Sequence, residues 1–114
     1  MPDAGPSDQG LLAAVAGGDR GALRTLYERH APWLVLRLAR RCADPAIVEE
    51  AVQDTFLAIW RKPGSYRAQG EVAAWIWGVG IRRLIDQLRR RSVRERVRRG
   101  CRSPNRRRGL VMRG

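Results

Sequence analysis

A chain of 114 residues has room for one small domain with a modest core. Its 23 Lys+Arg against 11 Asp+Glu give a formal net charge of +12, which points to a polyanionic partner, nucleic acid ahead of a membrane surface. No apolar run approaches the roughly 18–20 residues of a membrane span, and the polar start MPDAGPSDQG has no signal-peptide core, so a soluble, cytoplasmic protein is expected.

The charge is unevenly spread. Residues 1–88 hold 11 Lys+Arg and 10 Asp+Glu, whereas residues 89–114 hold 12 Arg and the single acid Glu95. The two cysteines, Cys42 and Cys101, are far apart and show no CxxC or Cys/His spacing, so neither a zinc site nor a disulfide framework is expected. Cys42 reads as a small buried thiol.

Taken in order, residues 1–7 contain two prolines and a glycine and read as a flexible leader. Ser7 or Asp8 can cap a short first helix with Leu11, Leu12 and Val15 as its apolar stripe. Gly17-Gly18 ends it and Asp19 caps the next. The second helix spans about residues 20–42, with Leu23, Leu26, Tyr27, His30, Leu34 and Leu38 at three- and four-residue spacing on one buried face. Pro32 inside this pattern predicts a kink near Glu28 and Arg29. His30 is the sole histidine and lies on the apolar face, where a hydrogen-bonded core histidine is a better reading than a ligand or base. Arg37, Arg40 and Arg41 suit the negative end of the helix dipole and could also meet a phosphate.

Asp44-Pro45 opens a third helix: aspartate caps, and proline at the first helical position loses no bond. Val48, Val52, Thr55, Phe56 and Ile59 face the core. Glu50, Gln53, Asp54, Leu57 and Arg61 fall within about 100° on the opposite side. A leucine inside a polar face is either a stray exposed leucine or the apolar anchor of a docking surface. Pro63-Gly64-Ser65 breaks the helix, and Tyr66-Arg67 follows on a loop that could clamp an unpaired base or fold back on the core.

The fourth helix starts near Glu71. Its expected core is Val72, Ile76 and Val79, then Trp77, Ile81, Leu84, Ile85 and Leu88, while Trp75, Arg82, Arg83, Asp86 and Arg90 share the remaining surface. Aromatic and cationic residues together suit bases and phosphates. Gly78 and Gly80 each cost up to about 1 kcal/mol of helix propensity, which close approach of a neighbour would explain. Beyond Arg91 the helix can continue to about Arg99, and an Arg-rich tail follows, too charged and too poor in apolar residues to fold. The fold class is all-α: a compact bundle of three to four helices over residues 8–91, with a leader at 1–7 and a basic tail at 92–114. No catalytic, metal or cofactor site is expected: no cysteine or serine is arranged near His30, and no histidine completes a site with Glu49, Glu50 and Asp54.

The run from Val48 to Arg91 resembles region 2 of a bacterial extracytoplasmic-function (ECF) sigma factor. The likeness rests on Glu49-Glu50-x-x-Gln53-Asp54-x-Phe56-Leu57-x-x-Trp60, the turn with its loop aromatic, and Ala74-Trp75-Ile76 ahead of Asp86-x-Leu88-Arg89-Arg90. It covers roughly residues 9–91. The resemblance implies that Glu50, Gln53, Asp54, Leu57 and Arg61 dock on the clamp helices of the largest subunit of core RNA polymerase. It further implies that Tyr66, Arg67, Trp75, Arg82, Arg83, Gln87, Arg89 and Arg90 contact promoter DNA, on the non-template strand of the minus-ten element. An anti-sigma factor is a further implied partner. Ile81-Arg82 stands where many relatives have Arg-Asn, so base preference does not carry over. The family's region 4 has no counterpart in the chain, which leaves three readings: an initiation module, a decoy or remnant that occupies polymerase or an anti-sigma factor without initiating, and a non-specific basic nucleic-acid binder.

Overall fold

The computed structural model describes residues 5–65 and 70–100, and among these the regular structure is helical throughout. The elements are α1 (Asp8–Ala16), α2 (Arg20–Ala39), α3 (Pro45–Arg61), a single 3-10 turn (Pro63–Ser65) and α4 (Val72–Gly100). Helix starts follow the side-chain chemistry. Ser7 Oγ accepts from the Gly10 amide at 3.0 Å, Asp19 from Ala22 at 3.1 Å and Asp44 from Ala46 at 3.0 Å. Gly18, at φ +92°, makes the left-handed step between α1 and α2 that an L side chain would resist.

The core forms where the apolar stripes meet. Leu11, Leu12 and Val15 of α1 pack under α2, whose buried line is Ala22, Leu26, His30, Ala31, Leu34 and Leu38. The sequence stripe on α2 differs at two places: Leu23 is only half-buried and Tyr27 is 42% exposed. Tyr27 sets its ring edge against Phe56, with centroids 5.0 Å apart, so its apolar body packs while the phenol remains at the surface. α2 runs unbroken across Pro32 and ends at Ala39, with Arg40 and Arg41 closing it through bonds to Arg37 and Leu38.

α3 lies at the centre, packed on α2 by one side and α4 by another. The five positions read as its core are buried, joined by Ile47 and Ala51. The hydroxyl of Thr55 donates to the Ala51 carbonyl at 2.7 Å, so this polar group enters the core satisfied. Each fully buried Leu or Ile here, such as Leu34, Ile59 or Ile76, contributes about 1.5–3 kcal/mol.

The buried line of α4 is Val72, Ile76, Gly80, Leu84 and Gln87. Val79, Trp77 and Ile81 are half-buried, but Ile85 and Leu88 are 43% and 38% exposed, contrary to the core stripe read from the sequence. Ile85 sits about 100° round the helix from Leu84 and so turns out of the interface. Gly80 has a packing reason: a Cβ there would lie 2.9 Å from Leu34 Cδ1, so glycine lets α4 cross α2 closely. Gly78 has open space around its Cα and no such reason. The helix continues past Arg91 to Gly100, in keeping with the expected extension.

Candidate binding groove between α3 and α4

The outward face of α3 and one face of α4 converge as the walls of a single groove of about 810 Å³. α3 contributes Asp54, Leu57, Ala58 and Arg61, with Lys62 just beyond it. α4 contributes Trp75, Val79, Arg82, Arg83, Asp86 and Arg90. Both walls obey helical spacing: 54, 57, 58 and 61 on one, and 75, 79, 82, 83, 86 and 90 on the other. The sequence placed docking and nucleic-acid residues on separate helices, and the packing of α3 on α4 sets them side by side.

The groove lining combines a small apolar patch with a cationic majority. Leu57, 47% exposed, lies beside Ala58 and Val79, while Arg61, Lys62, Arg82, Arg83 and Arg90 outnumber Asp54 and Asp86. Half-buried Trp75 gives it an aromatic surface. Such a lining can hold a planar base against an aromatic face and phosphate against guanidinium groups. Among the described residues no three His, Cys, Asp or Glu side chains group as metal ligands.

Gln87 is placed differently from the other α4 residues assigned to DNA. It is 5% exposed, and its Nε2 donates to Asp54 Oδ2 at 2.6 Å, tying the two walls together at their base. In this arrangement the Gln87 amide is held by Asp54 within the packing of α3 on α4. Exposed Arg82 bonds back to the Gly78 carbonyl through Nε at 3.3 Å. Glu50, Gln53 and Arg89 are exposed but do not line the groove, and Tyr66 and Arg67 lie outside the described residues. Ala58, Val79 and Lys62 were not singled out as site residues, although their four-residue spacing from Asp54, Trp75 and Ala58 respectively was available as a signal.

A second tie holds the far end of the α4 wall. Arg91 pairs with Asp44, the N-cap of α3, and also reaches Glu95 at 3.4 Å. The hydrogen bond from Arg91 holds the Asp44 carboxyl below the usual carboxylate range, helped by the Ala46 amide, and the same bond raises the Arg91 guanidinium. Since the folded value of Asp44 is depressed, the pair stabilises the fold above the unfolded value of about 3.8 and is lost as pH falls through the folded one.

His30 is a satisfied core histidine, 6% exposed. Its Nδ1 accepts from Trp33 Nε1–H at 2.9 Å, so Nε2 carries the proton and donates to Asp8 Oδ2 at 2.9 Å. Arg29 completes the cluster on Asp8 Oδ1 at 2.9 Å. Cys42 is half-buried, its thiol 3.9 Å from the Asp44 carbonyl.

Comparison with known proteins places this groove in context. The sequence model of the family described as Sigma-70 region 2 matches residues 26–94, which include α3, most of α2 and most of α4. The chain is 37% identical over 86 residues to the ECF RNA polymerase sigma factor SigM of Mycobacterium tuberculosis (strain ATCC 25618 / H37Rv), covering 74% of this chain and 43% of that protein. It is 36% identical over 80 residues to the ECF RNA polymerase sigma factor SigK of Mycobacterium sp. (strain KMS), covering 69% and 42%. The RNA polymerase sigma factor CnrH of Cupriavidus metallidurans is 32% identical over 90 residues, covering 78% and 47%. The chain thus spans less than half the length of these curated relatives. No solved structure matches it. Among the described residues, no helix is long and apolar enough to cross a membrane.

Proposed function

The chain belongs to the sigma-70 region 2 family, and from that premise we propose that it is a transcription-initiation module that binds core RNA polymerase and promoter DNA. In this reading Leu57 is the apolar anchor on the polymerase clamp helices, ringed by Glu50, Gln53, Asp54 and Arg61. Trp75, Arg82, Arg83 and Arg90, with Arg89 beside them and Tyr66 and Arg67 from the preceding loop, hold the non-template strand of the minus-ten element. A base leaves its stack only when another aromatic surface and nearby cations offset the lost pairing, which is what the α4 wall offers. The module performs no bond chemistry; sigma factors direct polymerase and are not enzymes.

The observation that carries the proposal is the convergence of the α3 face and the α4 aromatic–arginine face on one groove, within the segment that matches the family. The test is capture of core RNA polymerase by the full chain, compared with Leu57→Glu. Capture lost on substitution, with helical content unchanged, is the expected result. No capture by the folded wild-type chain would overturn the docking reading. Run-off transcription from a minus-ten promoter then separates two modes: transcript supports initiation, whereas inhibition of an intact sigma factor supports a decoy that occupies polymerase.

A further inference from the structure

We propose that the junction of α2 and α4 is a second nucleic-acid contact, at which Arg37 and Arg41 bind two phosphates of a bound strand. The inference rests on the DNA-binding reading above and adds a face to it. Trp77 is two residues from Val79 of the groove and so lies about 160° away round α4, on the side turned toward α2. There the Arg37 guanidinium lies over two tryptophan rings, its carbon 4.4 Å from the Trp77 centroid and 5.8 Å from that of Trp33. Arg41 takes the Trp77 ring as well, at 5.5 Å.

Three features make this more than surface decoration. First, energetically significant cation–π pairs occur roughly once per 70–80 residues, and here three contacts share two rings. Second, the stack is braced from beneath: the Trp33 indole is fixed by His30, and His30 by Asp8 of α1, each through a bond of 2.9 Å. Third, neither guanidinium forms an ion pair among the described residues, and both side chains are exposed. A ring face orients a guanidinium without neutralising it. The in-plane N–H edges stay free, in the geometry that binds phosphate oxygens in pairs.

Arg37 on α2 and Arg41 in the turn that closes it share the Trp77 ring, so both cations sit at one surface, where a single strand can meet them with neighbouring phosphates. The indole faces are already taken by arginine, so no base stacks there. The contact reads backbone rather than sequence and would fix the register of the strand on the domain. Two exposed guanidinium groups without an ion pair among the described residues, held against the helix whose other side lines the arginine-rimmed groove, favour nucleic acid over an acidic protein segment.

The experiment measures binding of a fluorescein-labelled single-stranded oligonucleotide to the full chain by anisotropy across a salt series. The variants are Arg37→Gln/Arg41→Gln, Arg37→Lys/Arg41→Lys and, for the groove, Arg82→Gln/Arg83→Gln. At about 0.7 log units per phosphate on a single strand, the first double variant is expected to flatten the slope of log affinity against log salt by about 1.4. The lysine pair keeps most of the slope. If the glutamine pair folds, by circular dichroism, and leaves the slope unchanged, the proposal is overturned and the arginines are packing groups only. If it does not fold, an unaltered affinity in the lysine pair supports a charge contact and a slope equal to that of an unrelated control protein overturns it. Slope lost with the groove pair alone keeps the DNA reading and overturns this one; absence of binding by the wild type overturns both. An unchanged slope with polymerase capture lost assigns the pair to a protein contact, which also overturns it.

Discussion

The two sides of α4 use similar residues in different ways. Toward α3, Arg82, Arg83 and Arg90 rim an open groove beside Leu57, and Trp75 is only half-covered. Toward α2, Arg37 lies over the rings of Trp33 and Trp77 and Arg41 over that of Trp77, and Trp33 is held by the relay through His30 to Asp8. Tryptophan and arginine therefore do not have one meaning on a helix. Where a half-buried aromatic lines a groove it can meet a ligand; where arginine covers it, the aromatic becomes a support and the guanidinium edge becomes the reactive group.

The largest expected effect destroys both sides together. Leu34 is fully buried and touches the Gly80 crossing, so Leu34→Ala should lower stability by about 2–5 kcal/mol in chemical denaturation. A loss under 1 kcal/mol would show that α2 and α4 are not held by this contact. Next, Leu57→Glu should reduce polymerase capture tenfold or more, as removal of a central anchor does, while the unfolding midpoint stays put because the side chain is exposed. Equal capture by both proteins would detach the groove from docking.

A smaller effect separates the tie from the surface. Gln87→Leu removes the donor to Asp54 and leaves that part-buried carboxylate without this partner, which should cost about 1–3 kcal/mol of stability. Polymerase capture should weaken as well, since the Asp54 carboxylate is no longer aimed, and Asp54→Ala should then add little further loss in that background. Full additivity of the two substitutions would contradict the tie. The smallest effect is the clamp at the end of the wall. Wild-type stability should fall more steeply below about pH 4 than that of Asp44→Asn, because only the wild type loses the Arg91 pair on protonation. Parallel acid-unfolding curves would remove the clamp from the account of stability.

Much of the fold was readable in one dimension. The caps at Ser7, Asp19 and Asp44 and the core face of α3 are consequences of local chemistry and a 3.6-residue period, and each agrees with the structure. The α4 stripe was misread at Ile85 and Leu88 because apolar character alone does not say where a crossing helix stops covering its neighbour. At Gln87 the resemblance pointed to DNA, and the structure gives its amide a carboxylate partner in the interface that the helical period alone does not reveal.

What the sequence by itself determined, then, is the set of helices, the angular position of every side chain around its own axis, and the likeness to sigma region 2 carried by the third and fourth helices. Which faces meet was decided only in three dimensions. The Gln87–Asp54 bond spans 33 positions, Arg91–Asp44 spans 47 and His30–Asp8 spans 22. Such contacts depend on how closely helices cross, and here one crossing is set by the space that Gly80 leaves for Leu34. Helical periodicity fixes direction about an axis, but only packing fixes the distance and angle between axes, and a groove with two walls exists only once both are fixed.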